Sequence, residues 1–142
     1  MHLRHKIAGG DFVNAGNVAS SVKKVLRQLN IDHQVAKRIV ISLYEAEVNV
    51  VAHAWSGIAE IDIDEDKVTI KVDDKGPGIP DIEKAMQEGY STASPQVREM
   101  GFGAGMGLAN MKKNSDLMKV TSETGEGTSV KLVTYLGQNG NR

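Results

Sequence analysis

Four of the seven residues in Gly101-Phe102-Gly103-Ala104-Gly105-Met106-Gly107 are glycine, at every second position, and helical patterning begins directly after them at Leu108. Glycine without Cβ exposes its backbone N–H and lets the chain approach another molecule closely. A loop of this kind running into a helix start offers a nest of N–H groups for phosphate oxygens. A simple hinge is the plain alternative. Neither familiar glycine fingerprint fits: the Lys-Ser/Thr of a P-loop is missing, and the spacing is not G-x-G-x-x-G after a strand. Walker and Rossmann folds are therefore set aside, and a different framework must carry the loop.

The rest of the chain supplies that framework. Residues 1–10 suit a short strand ending at Gly9-Gly10. Val18, Val22, Val25, Leu26 and Leu29 mark a helix over 17–29, with Asn14 or Asn17 available as its cap. A second helix over 32–54 follows from the stripe Ala36, Ile39, Val40, Leu43, Val50 and Ala54, with Asp32 as N-cap and Gly57 as terminator. Two alternating runs, 58–63 and 68–72, read as a hairpin with one buried face. From Asp73 to Gly107 turn residues dominate, and only 81–87 has helical character. A tract this long is a functional lid or disordered rather than a plain connection. Residues 108–115 read as helix, and 117–121 with 128–136 as a second hairpin. Helices followed by antiparallel pairs predict an α/β class fold, a two-layer α/β sandwich with a mixed, mostly antiparallel sheet and its helices on one face. The expected organisation is one domain over 1–136 and a frayed polar tail over 137–142.

Composition narrows the function. Seventeen basic residues face eighteen acidic ones, so there is no broad basic field to hold nucleic acid or an anionic membrane. Cysteine is absent, which excludes disulfides, thiolate zinc sites and thiol catalysis and fits a reducing compartment. The N-terminal stretch lacks the apolar core of a signal peptide, and no run nears the ~18 residues of a membrane span. A cytoplasmic location is expected. His2, His5, His33 and His53 show no metal-ligand spacing, so a zinc hydrolase is set aside.

Two further motifs carry chemistry. Glu45, Asn49 and His53 fall at i, i+4 and i+8 of the second helix, a polar row along one face. By itself such a row is also what a solvated helix edge looks like, and His53 is read as a helix-packing residue. Asp73-Asp74-Lys75-Gly76-Pro77-Gly78 sits where a strand ends. A carboxylate there can accept from an adenine amino group while Gly76 and Gly78 keep the backbone close, although Pro-Gly alone signals a turn.

Taken in order, Glu-x-x-x-Asn on a helix, Asp-x-Gly-x-Gly after a strand, the glycine loop and Gly127-Thr128 before the last strand resemble one superfamily. It is the Bergerat-type ATP-binding fold shared by gyrase, heat-shock chaperone, histidine kinase and mismatch-repair proteins (GHKL). The short chain, with Gly78-Ile79-Pro80-Asp81-Ile82-Glu83-Lys84-Ala85 and Gly89-Tyr90-Ser91-Thr92, looks like the anti-sigma-factor and stress-switch serine kinases within it. The resemblance implies Glu45 as general base, Asn49 as the Mg2+ ligand and Asp74 as the adenine reader. It also implies that Gly101, Gly103, Gly105 and Gly107 border the triphosphate of ATP and that Thr128 supports the adenine contact. Arg98 lies in a stretch that departs from the shortest lids of such kinases and either touches phosphate or is a solvated charge.

The implied activity is ATP- and Mg2+-dependent phosphorylation of Ser or Thr on a small antagonist-type (STAS-like) partner protein. The alternative is an ATP-gated module that sequesters a sigma factor or another regulator with little transfer. Glu45 favours the kinase, because a pure binder needs no base. A hydrolase component of a larger machine is the weaker third reading. A homodimer is left open.

Overall fold

The computed structural model describes residues 1–79, 81–87 and 107–137. Its strands are β1 (His2–Ala8), β2 (Ser56–Ile63), β3 (Lys67–Lys75), β4 (Leu117–Glu123) and β5 (Gly127–Tyr135). Its helices are α1 (Asn17–Gln28), α2 (His33–His53), the single turn α3 (Ile82–Ala85) and α4 (Gly107–Lys113). The strands form one sheet in the order β1-β2-β3-β5-β4. Each neighbouring pair is antiparallel, so among the described strands the sheet is wholly antiparallel rather than mixed.

Period-2 alternation decides which side of the sheet is covered. Ala59, Ile61, Val68, Ile70, Val72, Val130 and Leu132 point inward and are buried against Val22 and Leu26 of α1, Ile39, Leu43 and Val50 of α2, and Met111 of α4. Burial of a side chain of this size contributes roughly 1.5–3 kcal/mol, so this inner face is the main source of stability. The opposite face carries Arg4, Glu60, Lys71, Lys131 and Lys119 across successive strands.

The helix ends show how far local sequence governs them. Asp32 caps α2 as its residue type suggests, accepting from the N–H groups of Gln34 (3.1 Å) and Val35 (3.2 Å). The cap of α1 differs from expectation. Its N-cap is Gly16, in left-handed conformation with φ 98°, while Asn14 donates to Asp11 and Asn17 donates to Asn14. The helix start is satisfied instead from α2. The buried carboxylate of Glu47 accepts from the N–H groups of Gly16 (2.9 Å), Val18 (3.1 Å) and Ala19 (3.0 Å). A helix leaves its first N–H groups unpaired, and this carboxylate also complements the positive end of the helix dipole. Removing it strands buried donors. Glu47→Ala is expected to lower stability by about 3 kcal/mol or more, read as a fall in melting temperature on the order of 10 °C. A loss below about 1 kcal/mol would mean that water can take the place of the carboxylate.

Two boundaries also move. The helix stops at His53 with Ala54 as its extended C-cap, and Gly57, expected to terminate it, lies inside β2 opposite Asp74. Glycine is needed there because a Cβ would sit 2.9 Å from a Val50 methyl, where strand and helix cross closely. Strand β3 runs on to Lys75, so Asp73 and Asp74 belong to the sheet rather than to the loop after it. No helix among the described residues is long and apolar enough to cross a membrane.

Candidate functional site

The extension of β3 separates the two adjacent aspartates. Successive strand residues face opposite ways. Asp73 faces outward, where Ser129 Oγ donates to it and Lys71 Nζ lies 3.7 Å away. Asp74 shares the inward parity of Val68, Ile70 and Val72, and its Oδ1 accepts from the Thr128 N–H at 2.9 Å. That is the carboxylate's one hydrogen bond among the described residues. Burial pushes the Asp74 carboxyl above its ordinary range, the Thr128 N–H opposes this, and the neighbouring charge of Asp73 adds to it. A half-buried carboxylate with one oxygen held and the other without a donor among the described residues suits a ligand bearing an N–H.

The surroundings of Asp74 are fixed by close crossings. Gly127, with φ 153°, runs so near the Asp74 carbonyl that a Cβ would overlap it. Gly76 is buried against the end of α2, with a Cβ predicted by geometry to fall 2.9 Å from Ala54 Cα. Gly78 has φ 78°, and a Cβ on it would lie 2.6 Å from the Glu123 carbonyl oxygen. Both glycines are thus required by packing of the chain on itself, a role the sequence motif does not distinguish from contact with a ligand. Ser122 ties these pieces together: its Oγ accepts from the Ile79 N–H (2.7 Å), donates to the Gly127 carbonyl (3.1 Å) and lies 2.9 Å from Thr128 Oγ1. In the last of these contacts either hydroxyl can be the donor. Nothing in the alternation of β4 marks Ser122 in advance.

The C-terminal end of α2, where the polar row ends at His53, reaches the same region. Asn49 is one turn before His53, and the His53–Ala54 backbone abuts Gly76; Trp55 donates its N–H to the Lys75 carbonyl at 2.8 Å. Burial lowers the pKa of His53, in keeping with a packing residue. The Asn49 side chain is half-buried and makes no hydrogen bond with the described residues. At the other end of the row, Asn110 of α4 donates Nδ2 to Glu45 Oε2 at 2.7 Å. Asn110 sits in a stretch readable in sequence only as helix, so its role was not visible there. Glu47, two residues from Glu45, points to the other side of α2 and serves α1. The row therefore runs from Glu45 and α4 to the turn that holds Asp74.

Gly107 opens α4. Gly101, Gly103, Gly105 and Arg98 lie outside the described residues, as does most of the expected lid; of that tract the structure describes the turn α3, capped by Asp81 accepting from the Lys84 N–H at 3.0 Å. Among the described residues no group of three or more His, Asp or Glu side chains is placed to hold a metal ion. An oxygen ligand such as Asn49 suits Mg2+, which keeps several waters and is otherwise held by nucleotide phosphates. With the half-buried acceptor at Asp74, the residues present fit a Mg-nucleotide.

These features define an ATP-binding domain of the histidine-kinase type. Residues 11–134 match the histidine kinase-like ATPase domain family, and the chain belongs to it. Among curated relatives, an anti-sigma F factor of Caldanaerobacter subterraneus subsp. tengcongensis is 39% identical over 106 residues, 71% of each chain. The serine/threonine-protein kinase RsbT of Bacillus subtilis is 32% identical over 130 residues, 89% of this chain and 90% of that protein. Of solved structures, the RsbU and RsbW domains of a Mycobacterium tuberculosis protein superpose with a TM-score of 0.61 at 17% identity, covering 93% of this chain and 32% of that one. The mycobacterial sensor histidine kinase MprB gives 0.53 at 15% identity over 95% of this chain and 97% of its own. The two structural likenesses speak for the fold.

Proposed function

We propose that the chain is an ATP- and Mg2+-dependent serine/threonine protein kinase of the anti-sigma regulatory type, acting on a small antagonist-type partner protein. The observation that carries the reading is the pairing of two differently placed carboxylates. Asp74 is half-buried and held by one oxygen on the Thr128 N–H, and Glu45 is oriented by Asn110 at the far end of the Asn49 row. The first suits recognition of an adenine amino group. The second suits acceptance of a hydroxyl proton from the partner's Ser or Thr.

Asn49 would hold Mg2+ through its amide oxygen, and the ion when bound neutralises phosphate charge. Phosphoryl transfer depends chiefly on positioning and electrostatics, so the protein's own share is modest in number of groups: Asp74 and Thr128 orient the base, Asn49 holds the metal, and Glu45 takes the proton. In the balanced step, the partner's hydroxyl oxygen bonds to the γ-phosphorus, the bond to the bridging β–γ oxygen breaks, ADP leaves, and the hydroxyl proton passes to Glu45. The names of the relatives, a serine/threonine kinase and anti-sigma F factors, support a protein partner and a regulatory setting.

A ligand that selects the folded state raises stability by RT ln(1 + [L]/Kd). Millimolar Mg-ATP is therefore expected to raise the melting temperature, at 100 times Kd by about 2.7 kcal/mol of added stability, with a smaller rise when EDTA removes Mg2+. A melting curve unmoved by Mg-ATP would remove the basis of the proposal.

A further inference from the structure

A second recess lies on another face of α2, away from the Glu45 row. It is a cleft of about 540 Å3 between the later turns of α1 and the early turns of α2, with Lys23, Arg27 and Lys37 on its rim and Ile31, Val40 and Ile41 toward its floor. All three cations are exposed. None has a carboxylate within ion-pair distance among the described residues, and no acidic side chain lines the cleft. In a chain of net charge −1, this is a local concentration of positive charge.

The floor is built by the way α1 ends. Asn30 adopts φ 56°, the Asn30 N–H bonds the Arg27 carbonyl (3.1 Å), and the Ile31 N–H bonds the Leu26 carbonyl (3.1 Å). This paired closure is the Schellman arrangement, which brings the residue after the left-handed position against the last helical turn. Ile31 is thereby fixed at the cleft as a rigid apolar contact. Ile41 is eight residues before Asn49 on α2, a rise of roughly 12 Å, so an occupant can sit here without covering the nucleotide region.

We propose that this cleft docks an acidic amphipathic helical segment of a partner protein. An apolar stripe would enter between α1 and α2, in the helix-in-groove manner, and carboxylates on its flanks would meet Lys23, Arg27 and Lys37. Shape and charge together favour this occupant. A small anion would need donors converging at depth, whereas here the cations stand at the rim and the floor is apolar. Nucleic acid would need a longer basic track with stacking aromatics, and no Phe, Tyr or Trp lines the cleft. The docking goes beyond nucleotide chemistry and does not rest on it.

The test uses two labelled synthetic helices of about 16 residues with the same leucine stripe, one flanked by Glu and the other by Lys, titrated against the full chain by fluorescence anisotropy. The Glu peptide is expected to bind saturably, and the double variant Lys23→Glu/Arg27→Glu to weaken it at least about tenfold, as does raising salt from about 50 to about 500 mM. The exposed pair Lys119→Glu/Lys131→Glu on the open sheet face should leave binding within about twofold. Melting temperature and its Mg-ATP shift, measured on each variant, establish that folding and the nucleotide site are intact. The proposal is overturned if the Glu peptide does not saturate, if the Lys peptide binds equally well, or if the two charge reversals act alike. Displacement of the Glu peptide by inorganic pyrophosphate at matched charge would likewise overturn it in favour of a simple anion site.

Discussion

Glu45→Gln is expected to lower phosphoryl transfer to a partner protein by about 10²–10⁴-fold, the usual worth of general-base help, while ATP affinity stays within about threefold of the parent. The structure makes this substitution unusually clean. Asn110 donates Nδ2 to Glu45 Oε2 at 2.7 Å, and a glutamine amide oxygen can accept the same hydrogen bond. Side-chain placement and the contact between α2 and α4 are then preserved, and what is lost is the capacity to take a proton. The assay incubates protein, Mg2+ and γ-labelled ATP with an antagonist-type partner and counts label on Ser or Thr. Equal transfer by the two proteins would remove Glu45 from the role of base. Absence of transfer by either, with partner binding that still requires ATP, would favour the binding-module reading.

Asp74→Asn is expected to weaken ATP by roughly 30–150-fold, corresponding to about 2–3 kcal/mol for a lost hydrogen bond to a charged group. The Asn oxygen would stay on the Thr128 N–H, which turns the amide NH2 toward the adenine amine and sets donor against donor. Stability should move the other way. Burial raises the folded-state pKa of Asp74 above its unfolded value. For such a group the stabilising contribution is full below the unfolded value, near pH 4, and is lost as pH rises through the folded one. At neutral pH the folded chain thus carries an unfavourable buried charge. Without nucleotide, Asp74→Asn should melt no lower than the parent at pH 7, and any advantage should shrink on acidification below about pH 4. A variant that binds ATP normally would place base recognition elsewhere; one that melts well below the parent would make Asp74 a structural residue first.

Much of the framework was legible because it depends on local periodicity. The 3.6-residue stripes of α1 and α2, the alternation of the two hairpins and the Asp32 cap all arise within a few residues of one another. What stayed hidden depends on partners distant in sequence. Glu47 resembles its neighbour Glu45 in type, yet it serves as the cap of α1 from 28 or more residues away. Ser122 looks like any polar strand residue until Ile79, Gly127 and Thr128 converge on it. Asn110 acquires meaning only when α4 meets α2. Gly57 reads in sequence as a helix stop because glycine commonly ends helices, whereas here it yields space to Val50 inside a strand. The polar row and the Asp74 turn are readable as motifs from their order and spacing along the chain. Sequence could not show that Gly76 and Gly78 are used for the chain's own close packing.

The most direct measurement is a crystal structure with Mg2+ and a non-hydrolysable ATP analogue. The adenine amino nitrogen is expected within about 3.2 Å of an Asp74 carboxylate oxygen, with Mg2+ at about 2.1 Å from the Asn49 amide oxygen. A nucleotide bound with its base away from Asp74, or a metal held without Asn49, would contradict this placement.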